Sequence, residues 1–373
     1  MTPIAFLDLK AQQARIALGL RARLDAVLEH CQFVLGPEVR ELEDRLAGYC
    51  GAGACVGVSS GTDALQIAMM AEGIGGGDAV FLPAFTYTAT AEVPLLLGAT
   101  PVFVDVDPRS FQIDVASLRA RIETVRREGR LRPRAIIGVD LFGQPAPWPA
   151  LRAVASDAGL FLLDDCAQSF GATLSGRRLG READATAISF FPSKPLGAYG
   201  DAGALLTDDP ERAKLYRSLR THGEGETRYE VLRTGMNGRL DTLQAAVLLA
   251  KLDVFDDELA RREQVARHYD EGLRDKAAIP LRVADSSSAW AVYSVLLRDG
   301  ATRDAAQAAL RAAGVPSAVY YPRPLHHQPA YRDHHDGVRL PVSEDLSGRI
   351  LALPIHPDLT APELARVVAA FPA

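Results

Sequence analysis

The chain reads as an α/β protein, with a large domain built on a mostly parallel sheet sandwiched by helices and a smaller α+β domain at the C-terminal end. Three observations predict this. Apolar, strand-like runs alternate with helical patterns through the first half of the 373 residues. Those runs are uniformly apolar, as strands are when helices cover both faces of a sheet. Beyond Leu273 the pattern changes character, and short strands and helices follow with Pro- and His-rich loop between them.

In order along the chain, residues 14–32 and 37–50 read as amphipathic helices, with Gly36 between them. Pro37 falls in a first helical turn, where its missing N–H costs nothing. Strand-like runs occur at 54–58, 79–82, 101–106, 135–141, 160–164 and 186–190, and helical patterns at 62–72, 89–97, 115–127 and 149–158. A further strand (203–207) and helix (210–221) come next. Residues 221–238 lack any apolar period and form a loop long enough to be functional. Residues 240–273 read as one long helix holding the domain boundary, which divides the chain into 1–250 and 251–373. A strand at 291–297, a helix at 303–313, a strand at 317–320 and a last helix at 361–371 complete the reading.

Three places on this scaffold carry chemistry. Lys194 stands in Phe190-Phe191-Pro192-Ser193-Lys194-Pro195-Leu196-Gly197, where a proline breaks an apolar strand and a glycine-rich turn lifts the amine into a crevice. Leu160-Phe161-Leu162-Leu163-Asp164-Asp165 is a hydrophobic strand ending in two carboxylates, at the strand end where α/β folds bind ligands. Period-2 alternation sends the two to opposite faces, and Asp164 competes with Asp165 for the site. Ser59-Ser60-Gly61-Thr62 leads a strand into a helix, whose free N–H groups and the Thr62 hydroxyl make an anion site without a cation. The plain alternative there is an ordinary Ser/Thr cap. Ser189, just before the lysine loop, adds a hydroxyl to the cradle. An anion cradle, a buried acid and a lysine nucleophile are together what pyridoxal 5′-phosphate (PLP) requires. A surface lysine is the bland reading of Lys194, and the Pro and Gly around it speak against that.

Other features narrow the class. A net charge of −6 with no long basic block argues against a nucleic-acid surface. Four cysteines without CxxC spacing indicate neither a disulfide framework nor a zinc knuckle. No apolar stretch is long enough to span a bilayer and no secretory signal opens the chain, so a soluble cytoplasmic protein is expected. Gly73-Ile74-Gly75-Gly76-Gly77 precedes a strand, which makes it a turn and not a dinucleotide loop. His326, His327, His334 and His335 lack metal-site spacing, and His326 is read instead as a substrate contact. Tyr320-Tyr321-Pro322 either ends a strand or offers two tyrosines to a sugar or base.

These motifs as a set resemble the DegT-type sugar-nucleotide aminotransferases, a branch of the fold-type-I PLP enzymes. The likeness runs from Phe6-Leu7-Asp8-Leu9-Lys10 through Ser60-Gly61-Thr62-Asp63, Pro83-Ala84-Phe85-Thr86-Tyr87-Thr88-Ala89-Thr90 and Asp164-Asp165-Cys166-Ala167-Gln168. It continues through Pro192-Ser193-Lys194 and Gly235-Met236-Asn237-Gly238-Arg239 to Leu353-Pro354-Ile355-His356-Pro357. The resemblance implies that Lys194 forms the Schiff base with PLP and Asp165 pairs with the ring nitrogen. Tyr87 would stack on the ring, Gln168 would lie at its other side or O3′ region, and Gly61, Thr62 and Ser189 would hold the phosphate. Asn237 would reach the phosphate in the neighbouring subunit and Arg239 would face the same foreign site, which implies a homodimer with shared active sites. Within the family, the opening segment and the Ser193-Lys194-Pro195-Leu196 variant resemble enzymes that aminate UDP-2-acetamido-2-deoxy-3-oxo-glucuronate, with L-glutamate as donor. The rivals are a 4-keto-6-deoxy sugar nucleotide as substrate, a PLP-dependent dehydratase, in which histidine replaces the lysine, and a non-catalytic regulatory protein on the same scaffold.

Overall fold

The structure, a computed structural model, describes residues 3–227 and 229–372. The elements in chain order are α1 (Leu9–His30), α2 (Pro37–Cys50), β1 (Ala54–Val58), α3 (Gly61–Ala71), β2 (Asp78–Pro83), α4 (Ala89–Leu96), β3 (Thr100–Val104) and α5 (Val115–Glu128). Then come β4 (Arg132–Val139), α6 (Trp148–Ala158), β5 (Phe161–Asp165), β6 (Thr173–Leu174), β7 (Arg177–Arg178), β8 (Ala185–Ser189), β9 (Gly203–Thr207) and α7 (Pro210–Leu219). The chain ends with α8 (Thr242–Leu252), α9 (Phe255–Leu273), β10 (Ser286–Ser287), β11 (Tyr293–Leu296), α10 (Gly300–Ala312), α11 (Pro341–Arg349), β12 (Ile350–Leu353) and α12 (Ala361–Ala370).

Seven strands form the main sheet in the order β1-β9-β8-β5-β4-β2-β3. Every pairing is parallel except those of β9, which runs against both β8 and β1. Alternate side chains divide between two cores. Leu162 joins the layer packed under α2, α5, α6 and α8, whereas Leu163 joins the layer under α3, α4 and α7. Both faces are therefore apolar, as the uniform strands require. A third core surrounds the β11–β12 pair, with Val265, Tyr269 and Leu273 of α9, Leu310 of α10 and Val367 of α12. Among the described residues no helix is long and apolar enough to cross a membrane.

Local chemistry explains where the structure departs from the sequence reading. α1 starts five residues early because Asp8 caps it, accepting from the N–H groups of Lys10 and Ala11 at 3.1 and 2.9 Å. The single long helix expected over 240–273 is two helices, α8 and α9, broken at Asp253–Val254. Asp256, Asp257 and Glu258 crowd the first turn of α9, where carboxylates favour a new helix N-terminus. The strand expected at 317–320 is only one bridge, from Ala318 to Ala352. α11 and β12 fall in the stretch read as loop, and the small β10-β6-β7 sheet falls where the sequence reading assigns no element. Their strands have only two to four residues, too short to show a period.

Candidate active site

The carboxyl ends of β1, β5 and β8 meet along one edge of the sheet, and a cavity of about 420 Å³ opens there. β5 delivers Asp165 into it, on the face shared with Leu163. The carboxylate is 7% exposed; Oδ1 accepts from the Ala167 N–H and Oδ2 from the Thr90 hydroxyl, each at 3.2 Å. Burial pushes its pKa up, and the Lys194 charge across the cavity opposes that. Asp164 leaves on the opposite face and does not line the cavity. It is fully buried, accepts from the Thr186 hydroxyl at 3.1 Å, and has one oxygen without a partner. Burial, then the nearby Asp140 carboxylate, hold it protonated well above the usual range. Of the two carboxylates that the sequence offers, Asp165 takes the sheet face that lines the cavity and Asp164 the other.

Lys194 rises from a closed turn between β8 and β9. Its N–H bonds Phe191 O at 2.8 Å, Ala198 N–H bonds Phe190 O at 2.7 Å, and Phe190 N–H bonds Ala202 O at 2.8 Å. The side chain is partly buried and lines the cavity. Desolvation lowers its pKa against the pull of Asp165, which favours the neutral, nucleophilic amine.

The anion cradle lies where β1 passes into α3. Ser60 caps the helix, its Oγ accepting from Asp63 N–H at 3.0 Å, while the N–H groups of Gly61 and Thr62 sit in the first turn beyond the reach of helical carbonyls. A Cβ on Gly61 would come within 2.6 Å of the Ser189 Cβ, and one on Gly203 within 2.4 Å of the Ser60 backbone. Only glycine lets the α3 terminus, Ser189 and β9 approach this closely.

Gln168 is fixed at the cavity wall. Its Oε1 accepts from Phe142 N–H at 2.6 Å and its Nε2 donates to the Tyr321 hydroxyl at 3.3 Å. Tyr321 meets Phe85 edge-on at 6.0 Å and lies 6.5 Å from Tyr87, which is 55% exposed at the mouth. Tyr320 packs edge-on against Phe6, another wall residue, at 6.3 Å. Gly61, Thr62, Tyr87, Asp165, Gln168, Ser189, Lys194, Tyr320 and Tyr321 therefore share one cavity.

Three residues singled out in the sequence are not in that wall. His326 is 2% exposed, against Phe103, His327 and His335, with its Nε2 3.6 Å from Glu344. The N–H of Leu325 bonds Ala84 O, which docks this turn on the sheet and turns the imidazole into the packing instead of the cavity. Asn237 is exposed and bridges Thr221, while Arg239 bridges Val58 at the end of β1. The Arg239 guanidinium has no hydrogen bond or ion pair with any described residue. Conversely, Asp201 lines the cavity and Thr90 bonds Asp165, and the sequence reading gave neither a role. Thr90 stands in a motif but shows no local sign of its task, because the carboxylate it serves lies far along the chain.

The donor set fits PLP: unpaired helix N–H groups and hydroxyls at one end, a buried carboxylate deep in the cavity, and an amine with no hydrogen-bond partner among the described residues.

Comparison with known proteins agrees. The chain is 46% identical over 369 residues to the UDP-2-acetamido-2-deoxy-3-oxo-D-glucuronate aminotransferase of Pseudomonas aeruginosa, covering 99% of each chain. It is 39% identical to the UDP-N-acetyl-3-dehydro-alpha-D-glucosamine 3-aminotransferase of Acidithiobacillus ferrooxidans, covering 98% of this chain and 96% of that one. A crystal structure of a DegT DnrJ EryC1 StrS aminotransferase from Brucella abortus superposes with a TM-score of 0.96 at 46% identity, covering 98% of each chain. The DegT/DnrJ/EryC1/StrS aminotransferase family model matches residues 16–372. With PLP chemistry written into the cavity and this match across its length, the chain belongs to the DegT/DnrJ/EryC1/StrS family of PLP-dependent sugar-nucleotide aminotransferases.

Proposed function

We infer that the protein moves an amino group from L-glutamate to the 3-oxo carbon of a UDP-linked keto-uronate, with UDP-2-acetamido-2-deoxy-3-oxo-D-glucuronate as substrate. The observation that carries the aminotransferase chemistry is the facing pair, Asp165 and Lys194, across one cavity. The choice of a uronate is supported by the Pseudomonas relative and by the unpaired guanidinium of Arg239.

When bound, PLP supplies an aldehyde and a ring that withdraws electrons from the carbon beside the transferred nitrogen. Lys194 would provide the amine for covalent attachment and, when free, its Nζ would take up or deliver the proton at the nitrogen-bearing carbon of the substrate in each half-reaction. Asp165, its oxygens held by Thr90 and Ala167, keeps a proton on the ring nitrogen. Gly61, Thr62 and Ser189 would hold the phosphate, Tyr87 would stack on the ring, and Gln168 would lie at its other side or its O3′ region. Tyr320 and Tyr321 line the sugar side. His326, buried behind that wall, has no place in substrate contact. Two half-reactions on one cofactor make ping-pong kinetics the expected pattern.

Asn237 and Arg239, exposed or half-exposed beside the end of β1, serve the site of a partner subunit in this reading. A Lys194→Ala chain and an Asn237→Ala/Arg239→Ala chain are each expected to be inactive, while their mixture regains activity in heterodimers that hold one complete site. No recovery despite demonstrated subunit exchange would place every contributor in one chain.

Substrate charge gives the second test. Arginine offers a planar fork that suits a carboxylate. Arg239→Ala should weaken use of the UDP-keto-uronate far more than that of the matching neutral 3-keto-hexose, shifting their kcat/KM ratio by roughly thirtyfold, since a lost charge-assisted bond costs about 2–3 kcal/mol. Equal losses on both sugars would assign Arg239 to assembly or cofactor and reopen the neutral and 4-keto substrates.

A further inference from the structure

Lys251 is 1% exposed in the middle of the protein, on α8. A buried ammonium costs more than an apolar residue of similar size unless its contacts require it. Its Nζ donates to Gly197 O at 2.5 Å and lies over the Tyr199 ring, 4.4 Å from the centroid. Both partners belong to the turn that carries Lys194. The same helix grips that turn a second time, because Gln244 Oε1 accepts from Tyr199 N–H at 2.9 Å. The turn is compact around these points: a Cβ on Gly197 would lie 2.6 Å from Pro192 O and 2.8 Å from Phe191 O. Pulling on Gly197 therefore moves the backbone on both sides of Lys194.

The countercharge is Glu258 of α9, also 1% exposed, whose charge acts on Lys251 while its carboxylate accepts from Gln12 Nε2 at 2.8 Å and pairs with Arg15 of α1. The hydrogen bond that Lys251 itself makes is the one to the Gly197 carbonyl. Burial lowers the Lys251 pKa to about 8, with Glu258 opposing the shift.

We propose that Lys251 is a positioning residue for the reaction: by holding Gly197 O against α8 it fixes the base of the Lys194 side chain and so sets how the lysine meets the cofactor. The proposal rests on the reading of Lys194 as the residue that attaches PLP. Displacement of a reacting group by about 1 Å can cost as much as a hundredfold in rate.

The test uses the purified holoenzyme. Lys251→Met removes the donor and charge at similar length, and Lys251→Arg keeps a cationic donor. Four measurements are made: visible circular dichroism of the bound cofactor, the rate at which hydroxylamine releases it, steady-state kcat and KM, and the melting temperature of the cofactor-free protein. Lys251→Met is expected to weaken the visible dichroic band, release cofactor about tenfold faster and lower kcat more than it raises KM, while the cofactor-free protein melts no earlier than wild type. Lys251→Arg should stay within about threefold of wild type in release rate, the margin of a partly kept hydrogen bond. A wild-type band and release rate in Lys251→Met overturn the proposal, as does equal impairment in the Met and Arg variants, which would mark a packing effect. Should Lys251→Met fail to fold, Lys251→Gln is measured in its place, and wild-type release there overturns the proposal equally. Borohydride reduction of the wild type separates this from the reading beneath it. Label on another lysine would sink the role of Lys194, whereas label on Lys194 with unaltered Lys251 variants would sink only the role of Lys251.

Discussion

Lys194→Ala should abolish steady-state amino transfer, with a fall of at least about 10³-fold, because one substitution removes both the attachment point and the proton carrier. Covalent capture and general acid–base work each depend on the same Nζ, and among the described residues no other lysine lines the cavity. A nearby water cannot replace it, because water is a far weaker base than an amine even where burial lowers the amine's pKa. The fold should survive. The Lys194 side chain makes no hydrogen bond with a described residue, and the turn beneath it is closed by backbone bonds that alanine keeps. Removing the cation also removes the pull on Asp165, whose proton should be held to higher pH in the variant. Borohydride treatment should fix the cofactor to wild type and leave Lys194→Ala unlabelled. Residual turnover within tenfold of wild type would mean that another group does this work.

Asp165→Asn should slow both half-reactions by about 10²–10³-fold, or ~3 kcal/mol and more of lost charge stabilisation, while leaving cofactor content near normal. An amide oxygen can still accept from the Ala167 N–H while the amide N–H donates to the Thr90 hydroxyl oxygen, so the local packing persists, but it carries no charge to keep a ring nitrogen protonated. Asp164→Asn supplies the control. That carboxyl lies in the opposite core, its pKa pushed well up by burial and by Asp140, and an amide of nearly the same shape outside the cavity should cost activity less than about fivefold. Single-turnover traces with glutamate alone, followed by keto-sugar alone, separate the two halves. Inactive Asp164→Asn beside active Asp165→Asn would reverse the assignment of the pair.

The strands were legible because helix-covered strands are apolar throughout, and the site was legible because its residues lie at strand ends and helix starts, where sequence is punctuated. Lys194, Ser189, Asp165 and Gly61 are of this kind. What stayed hidden depends on contacts distant in sequence. The choice between Asp164 and Asp165 needed the identity of each sheet face, which alternation alone leaves undetermined. Thr90 became part of the site only through its bond to Asp165. His326 looked available for a ligand in a histidine-rich stretch, yet its turn docks on Ala84 and buries the ring beside Phe103. The break between α8 and α9 was written in three successive acids, but unbroken helix-forming residues around them masked it.

The reversed strand β9 has a consequence for the order in which the molecule is made. Val58 lies beside Gly203, and Gly203 alone is small enough to sit between Ser60 and Ser189. The two halves of the phosphate cradle come from stretches of polypeptide that a ribosome produces far apart in time. β1 has no native neighbour in the sheet until residues 203–207 have been synthesised and have left the exit tunnel. Closing so long a loop carries a large entropic cost that only the inserted strand repays. The nascent chain therefore cannot capture cofactor in this cradle during the first half of its synthesis, and loading belongs to the late, nearly complete polypeptide.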